Sequence, residues 1–113
     1  MGLLLAAALA LAPAPACPRG ILPLQANSIG PAAAVALKAV EPSSRPLVAA
    51  AINAPGDTSR GPIARHRCGT GVWQRTIVVY LRLRAFGNSA SLSSRVVFVG
   101  RFKSGYRVWS VVH

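Results

Sequence analysis

The chain holds few residues equipped for chemistry. Two cysteines, two histidines and two carboxylates stand against thirteen Lys and Arg in 113 residues. His66-Arg67-Cys68 is the one place where an imidazole and a thiol lie close together. A His-activated thiol needs the two side chains adjacent and, as a rule, a third group to orient the imidazole. The acids that would supply it, Glu41 and Asp57, sit in proline-flanked segments with no reason to converge, so paired acid–base catalysis has no candidates either. Ser89, Ser91, Ser93 and Ser94 read as a polar turn, since no acid lies near to orient a histidine beside them. Gly69-Thr70-Gly71 is too short a pattern for a phosphate loop. Cys17 and Cys68 lack the close spacing of zinc ligands and read as a possible disulfide, a pairing that export favours. The sequence therefore predicts a protein without catalytic residues, metal or cofactor.

What remains is charge. From Thr58 to His113 there are ten basic residues and no carboxylate. Those cations have no acidic partners within their own segment. Such a surface attracts polyanions, whether anionic polymer, lipid head groups, an acidic protein or nucleic acid. The bland alternative is that a formal charge of +11 serves solubility alone; eleven Arg among abundant Ala, Gly and Pro is also what a biased coding composition yields.

The elements that must position these cations fall into three stretches. Residues 1–16 contain the uninterrupted apolar run Gly2–Ala12, too short for the roughly 20 residues of a transmembrane helix but the length of a signal-peptide core. Ala14-Pro15-Ala16 supplies small residues before a cleavage site after Ala16, which places Cys17 first in the mature chain. No Lys or Arg precedes the run. Ala-Pro-Ala-Cys also resembles a bacterial lipoprotein cleavage box, departing from it at Ala14 and Pro15; Ala6 argues against myristoylation.

Residues 17–70 are rich in Ala and Pro. Pro31–Glu41 predicts a helix with Ser28 near its cap and Pro31 in its first turn, and Pro46–Asn53 predicts a shorter one ended by Pro55-Gly56-Asp57. Ala54–Thr70 reads as loop.

Residues 71–113 predict a three-stranded antiparallel β meander: Val72–Phe86, Arg95–Phe102 and Tyr106–His113, the last two joined by the three-residue loop Lys103-Ser104-Gly105. In the first strand Trp73, Ile77, Val79, Leu81 and Leu83 share a face. Pairing Phe102 with Tyr106 puts Val96, Phe98, Phe102, Tyr106, Val108 and Val112 on the core side and sets Arg101 opposite Arg107. The outer face then carries Tyr80, Arg82, Arg84, Arg95, Arg101, Arg107 and Trp109, a candidate anion-binding surface of guanidinium and aromatic groups, or else a solvated face on which Arg stems shield valines.

The expected architecture is α+β, with short Ala-rich helices first and the meander last. Its rival is a small open β barrel with a disordered N-terminal half. The expected function is binding of an anionic surface or acidic partner by a secreted or cell-envelope protein. The rivals are a cytoplasmic nucleic-acid-binding module using the Arg/aromatic face and a structural domain with no ligand.

Overall fold

The structure, a computed structural model, describes residues 17–87 and 92–112. The apolar run with its cleavage sequence, Ser89, Ser91 and His113 lie outside them. The described residues form helix α1 (Ile29–Leu37), strand β1 (Pro46–Asn53), helix α2 (Gly61–Gln74) and strands β2 (Thr76–Leu83), β3 (Ser94–Phe102) and β4 (Gly105–Val112). The fold is α+β: a four-stranded open antiparallel sheet in the order β1-β2-β3-β4, with two helices.

The sheet is sandwiched between the helices. On one face Ala32 and Ala36 of α1, one helical turn apart, pack on Ile77, Val79, Leu81, Val97 and Val99. On the other face Ala64 of α2 joins Ala54, Val78, Val96, Phe98 and Val112, with Ile63, Trp73 and Trp109 at the margin. Because β2 is covered on both sides, its Ile77-Val78-Val79 run is apolar without alternation.

Four features differ from the sequence expectation. Pro46–Asn53 is an edge strand, paired with β2 from Pro46↔Leu83 to Asn53↔Ile77 with an irregularity between Val48 and Ala50. Its alanines favour a helix locally, but pairing with β2 and packing of Val48 and Ala51 under α1 override that weak preference. Second, Gly61–Gln74 is helical where a loop to Thr70 and the start of a strand from Val72 were expected. It starts with Pro62 in its first turn and is interrupted at Gly69, whose φ is 87°. Gly61 is required there, since a Cβ would run into the Ala54 carbonyl. Trp73 thereby belongs to α2 and packs on the face opposite Ile77 and Val79.

Third, the β3–β4 turn contains two residues. Phe102 pairs with Gly105 and Arg101 with Tyr106, so Arg107 lies opposite Gly100 and the expected Arg101–Arg107 opposition does not exist. Gly105 belongs to the strand end, at φ 118°. A slip of one residue reverses the faces of a strand, so Tyr106 and Val108 join the α1 side while Phe98 and Trp109 are on the α2 side. A register shift between Phe98 and Val99, which leaves Trp109 unpaired between Val108 and Ser110, brings Val112 onto the Phe98 side. Fourth, α1 ends at Leu37, short of Glu41; Ser28 is its N-cap residue, accepting the Ala32 N–H at its carbonyl, but its hydroxyl makes no capping bond and instead accepts from the Gln25 N–H at 2.9 Å and meets the Tyr106 hydroxyl at 2.7 Å.

A strap comprising residues 17–24 completes the fold. Cys17 is disulfide-bonded to Cys68 of α2, with 5.5 Å between their Cα atoms. Leu22 N–H donates to the Arg101 carbonyl at 2.7 Å, extending the line of β2 beside β3. Ile21 fills the space above Gly100, where a Cβ would lie 2.6 Å from Ile21 Cδ1.

Candidate functional site

The seven residues of the expected anion-binding face do not form one surface. Tyr80, on the α2 side, is half-buried, and its hydroxyl donates to Asp57 Oδ2 at 2.6 Å. Burial, and then this bond, raise its pKa above the ordinary 10.0. Trp109 packs on Phe98 with ring centroids 5.1 Å apart, and its indole N–H donates to Thr76 Oγ1 at 3.3 Å. Both rings are half-buried, each engaged with its own chain.

Several arginines serve the chain itself. Arg101 donates from Nε and Nη2 to the Pro23 carbonyl at 3.0 and 2.8 Å, and Arg75 donates to the Ile21 carbonyl at 3.0 Å. These two guanidiniums hold the strap down. With no carboxylate in their own segment, backbone carbonyls take the role that acids fill elsewhere. Arg107 lies over the Phe102 ring, 4.4 Å from its centroid, and lines a groove of about 260 Å³ with Pro18, Arg19 and Trp109.

The other three gather at the opposite end of the sheet. Arg82 is exposed on the α2 side across from Ser94. Arg84 opens the 3-10 turn Arg84–Phe86. Arg95 pairs with Leu81 and therefore emerges on the α1 side, its Nη1 donating to the carbonyls of Ser94 at 2.8 Å and Leu92 at 3.3 Å. A fourth arginine, Arg45, joins them where sequence reasoning assigned it nothing. Its carbonyl accepts both the Arg84 N–H and Arg84 Nε at 3.2 Å. Arg45 has a φ of 51°, an unfavourable conformation for a side-chain-bearing residue, and directly precedes β1.

Around these guanidiniums stand three large apolar side chains, Leu47 (48% exposed), Phe86 (44%) and Leu92 (54%). All three are at the end where β1 begins, β2 finishes and β3 begins. Two shallow grooves flank the end. One, of about 350 Å³, is lined by Ala49, Tyr80, Arg82, Ser94 and Arg95; the other, of about 270 Å³, by Val40, Glu41, Leu83, Phe86 and Arg95. No sequence signal marked Leu47, Phe86 or Leu92, because each is an ordinary apolar residue whose exposure only the tertiary structure decides.

The two acids differ sharply. Asp57 is buried, accepting from the Ser59 and Arg60 N–H groups as well as from Tyr80. Glu41 is exposed. His66 is exposed on α2, and Cys68 beside it is held in the disulfide and has no thiol to offer. Among the described residues no three His, Cys, Asp or Glu side chains come together as metal ligands, and no helix is long and apolar enough to cross a membrane.

The chain matches no protein-family model, no curated protein and no solved structure.

Proposed function

We propose that this chain is a small exported or envelope-associated protein, without catalytic function, that acts by binding an anionic surface. The observation that carries the reading is the fate of the acids: Asp57 is buried against its own chain, leaving Glu41 as the sole exposed carboxylate among the described residues. Every other charge presented by those residues is positive, and Arg45, Arg82 and Arg84 at one end of the sheet are exposed, with Arg95 half-buried beside them. Opposite charge then draws the protein to polyanions at a rate and affinity that fall with ionic strength.

Export is supported by the Cys17–Cys68 disulfide, which persists in oxidising compartments and is rare in reducing ones. A disulfide at Cys17 leaves no thiol there to carry a lipid, which favours simple cleavage after Ala16 over a lipoprotein anchor.

Salt-dependent retention of the purified protein on an anionic polymer tests the binding. Release at moderate salt is expected, and passage straight through at low salt overturns the reading. The intact mass of the protein from its host tests export. A chain beginning at Cys17 and lacking two hydrogens is expected outside the cytoplasm, and an uncut reduced chain inside would sink that part.

A further inference from the structure

We propose that the end of the sheet where β1 begins and β2 passes to β3 docks on an anionic lipid bilayer. Phe86, Leu92 and Leu47 enter the interface, and Arg45, Arg82, Arg84 and Arg95 meet the lipid phosphates. The proposal rests on the anionic-surface reading above and names its partner.

A soluble polyanion asks only for positive charge. This end offers more: three of the six large apolar side chains exposed among the described residues are gathered here, next to four guanidiniums. At the far end of the sheet Arg107 and Arg19 line their groove with Phe102 already buried, and the exposed apolar side chains nearest that end, Ile29 and Ile52, are each 37% exposed, less than Leu47, Phe86 or Leu92. The pairing of apolar tips with a ring of cations fits the boundary of a bilayer. Leucine and phenylalanine leave water for the acyl margin while guanidinium forks engage phosphate oxygens with two donors each.

Position and order also favour docking. Phe86 follows the end of β2 and Leu92 precedes the start of β3, so both side chains sit at the same end of the sheet as the start of β1 and Leu47. Arg84 and Arg95 are already tethered through one nitrogen each, to the Arg45 carbonyl and to the Leu92 and Ser94 carbonyls. Their remaining N–H groups are aimed with little side-chain freedom left to lose on binding. Glu41 is the single acid beside the patch, lining the Phe86 groove, and four cations outweigh it. Attraction to anionic headgroups is worth roughly a fivefold gain in affinity per arginine near the surface.

The test is sedimentation of the full chain with vesicles of phosphatidylglycerol and phosphatidylcholine, beside binding to soluble polyphosphate. Wild type is expected to bind the anionic vesicles and to be released by salt. F86S/L92S, which changes only exposed side chains, is expected to weaken vesicle binding roughly tenfold or more while binding polyphosphate as before. In Phe86→Trp, fluorescence quenched by brominated acyl chains reports insertion directly, because Trp73 and Trp109 are packed against the fold. Equal vesicle affinity of F86S/L92S and wild type, or no quenching in Phe86→Trp, overturns the membrane proposal. Binding to polyphosphate without binding to vesicles overturns it too and leaves the anionic-surface reading standing. Failure to bind either defeats both.

Discussion

Tyr80 and Asp57, 23 residues apart, are joined by a 2.6 Å hydrogen bond in which the phenol donates to Oδ2. The bond ties β2 to the turn that launches α2. It also places the one acid of the C-terminal half where it answers three donors at once.

Removing the phenol tests that bond. The Tyr80 pKa is raised by burial first and by Asp57 second; in the unfolded chain it returns to about 10. The stabilisation is therefore complete below about pH 10 and is lost as pH climbs through the higher folded value. Tyr80→Phe is expected to lower stability at pH 7 by about 1–2 kcal/mol and to shallow the alkaline decline. Urea titrations at pH 7 and above pH 10 measure both.

Asp57→Ala removes the acceptor itself and strands three donors. It is expected to cost more than Tyr80→Phe, about 2–4 kcal/mol, and to make Tyr80→Phe nearly silent in the double mutant. A thermodynamic cycle between the two positions reads that coupling directly.

The three C-terminal strands and α1 were the legible parts of this fold, and α2 and β1 were not. The β-branched and aromatic residues of Thr76–Leu83 and Ser94–Phe102 show in the sequence, and Ala32 and Ala36 lie inside the helix expected from Pro31. α2 was hidden because Gly61, Pro62, Gly69, Thr70 and Gly71 are poor helix formers. It holds because Ala64 is buried and Cys68 is cross-linked. β1 was hidden for the opposite reason, since three consecutive alanines suit a helix and only β2 makes them a strand. The candidate site split because β2 meets β3 with Arg95 opposite Leu81, on the face away from Tyr80 and Arg82, and because the β3–β4 turn is one residue shorter than its glycine suggested. Charge counting found the cations but had no means of telling Arg101, committed to Pro23, from Arg82, open to solvent.

Those two arginines should separate in experiment. Arg101→Ala is expected to lower stability by about 1–2 kcal/mol through the lost carbonyl bonds, with little change in the salt dependence of polyanion binding. Arg82→Ala is expected to leave stability within about 0.5 kcal/mol and to weaken binding. Chemical denaturation and salt-titrated binding of both variants make the comparison.

Two glycines predict a graded response. At Gly100 an alanine methyl meets Ile21 Cδ1 and Cγ1, the flexible end of a side chain, so Gly100→Ala should cost about 1–3 kcal/mol. Ile21→Ala in the same chain should recover part of the loss. At Gly61 the obstacle is the Ala54 backbone, which has nowhere to go. Gly61→Ala should be the worse of the two, with no single side-chain truncation able to rescue it, as thermal melts will show.

Reduction of Cys17–Cys68 opens a loop with a sequence separation of 51. Chain-entropy arguments put the loss at about 4 kcal/mol. The melting temperature should fall in reductant and in Cys17→Ser/Cys68→Ser to the same value, while Cys17→Ser alone in oxidant should match them.

The strap has a consequence for the order in which the molecule can be made. Arg101 grips Pro23 and Tyr106 meets Ser28, each across a sequence separation of 78. Contacts of that span are slow to form because the intervening chain must first be organised. During synthesis the residues of the strap emerge well before β3 and β4, yet they have no seat until the β3–β4 hairpin exists. A nascent chain halted before Arg101 would carry a finished α1 with its anchor missing, the Ile21 seat over Gly100 not yet built, and Cys17 seeking Cys68 unguided. Oxidation before the hairpin closes would then lock the strap by its end alone, and the bonds from Arg75 and Arg101 are what turn that tether into a fitted segment.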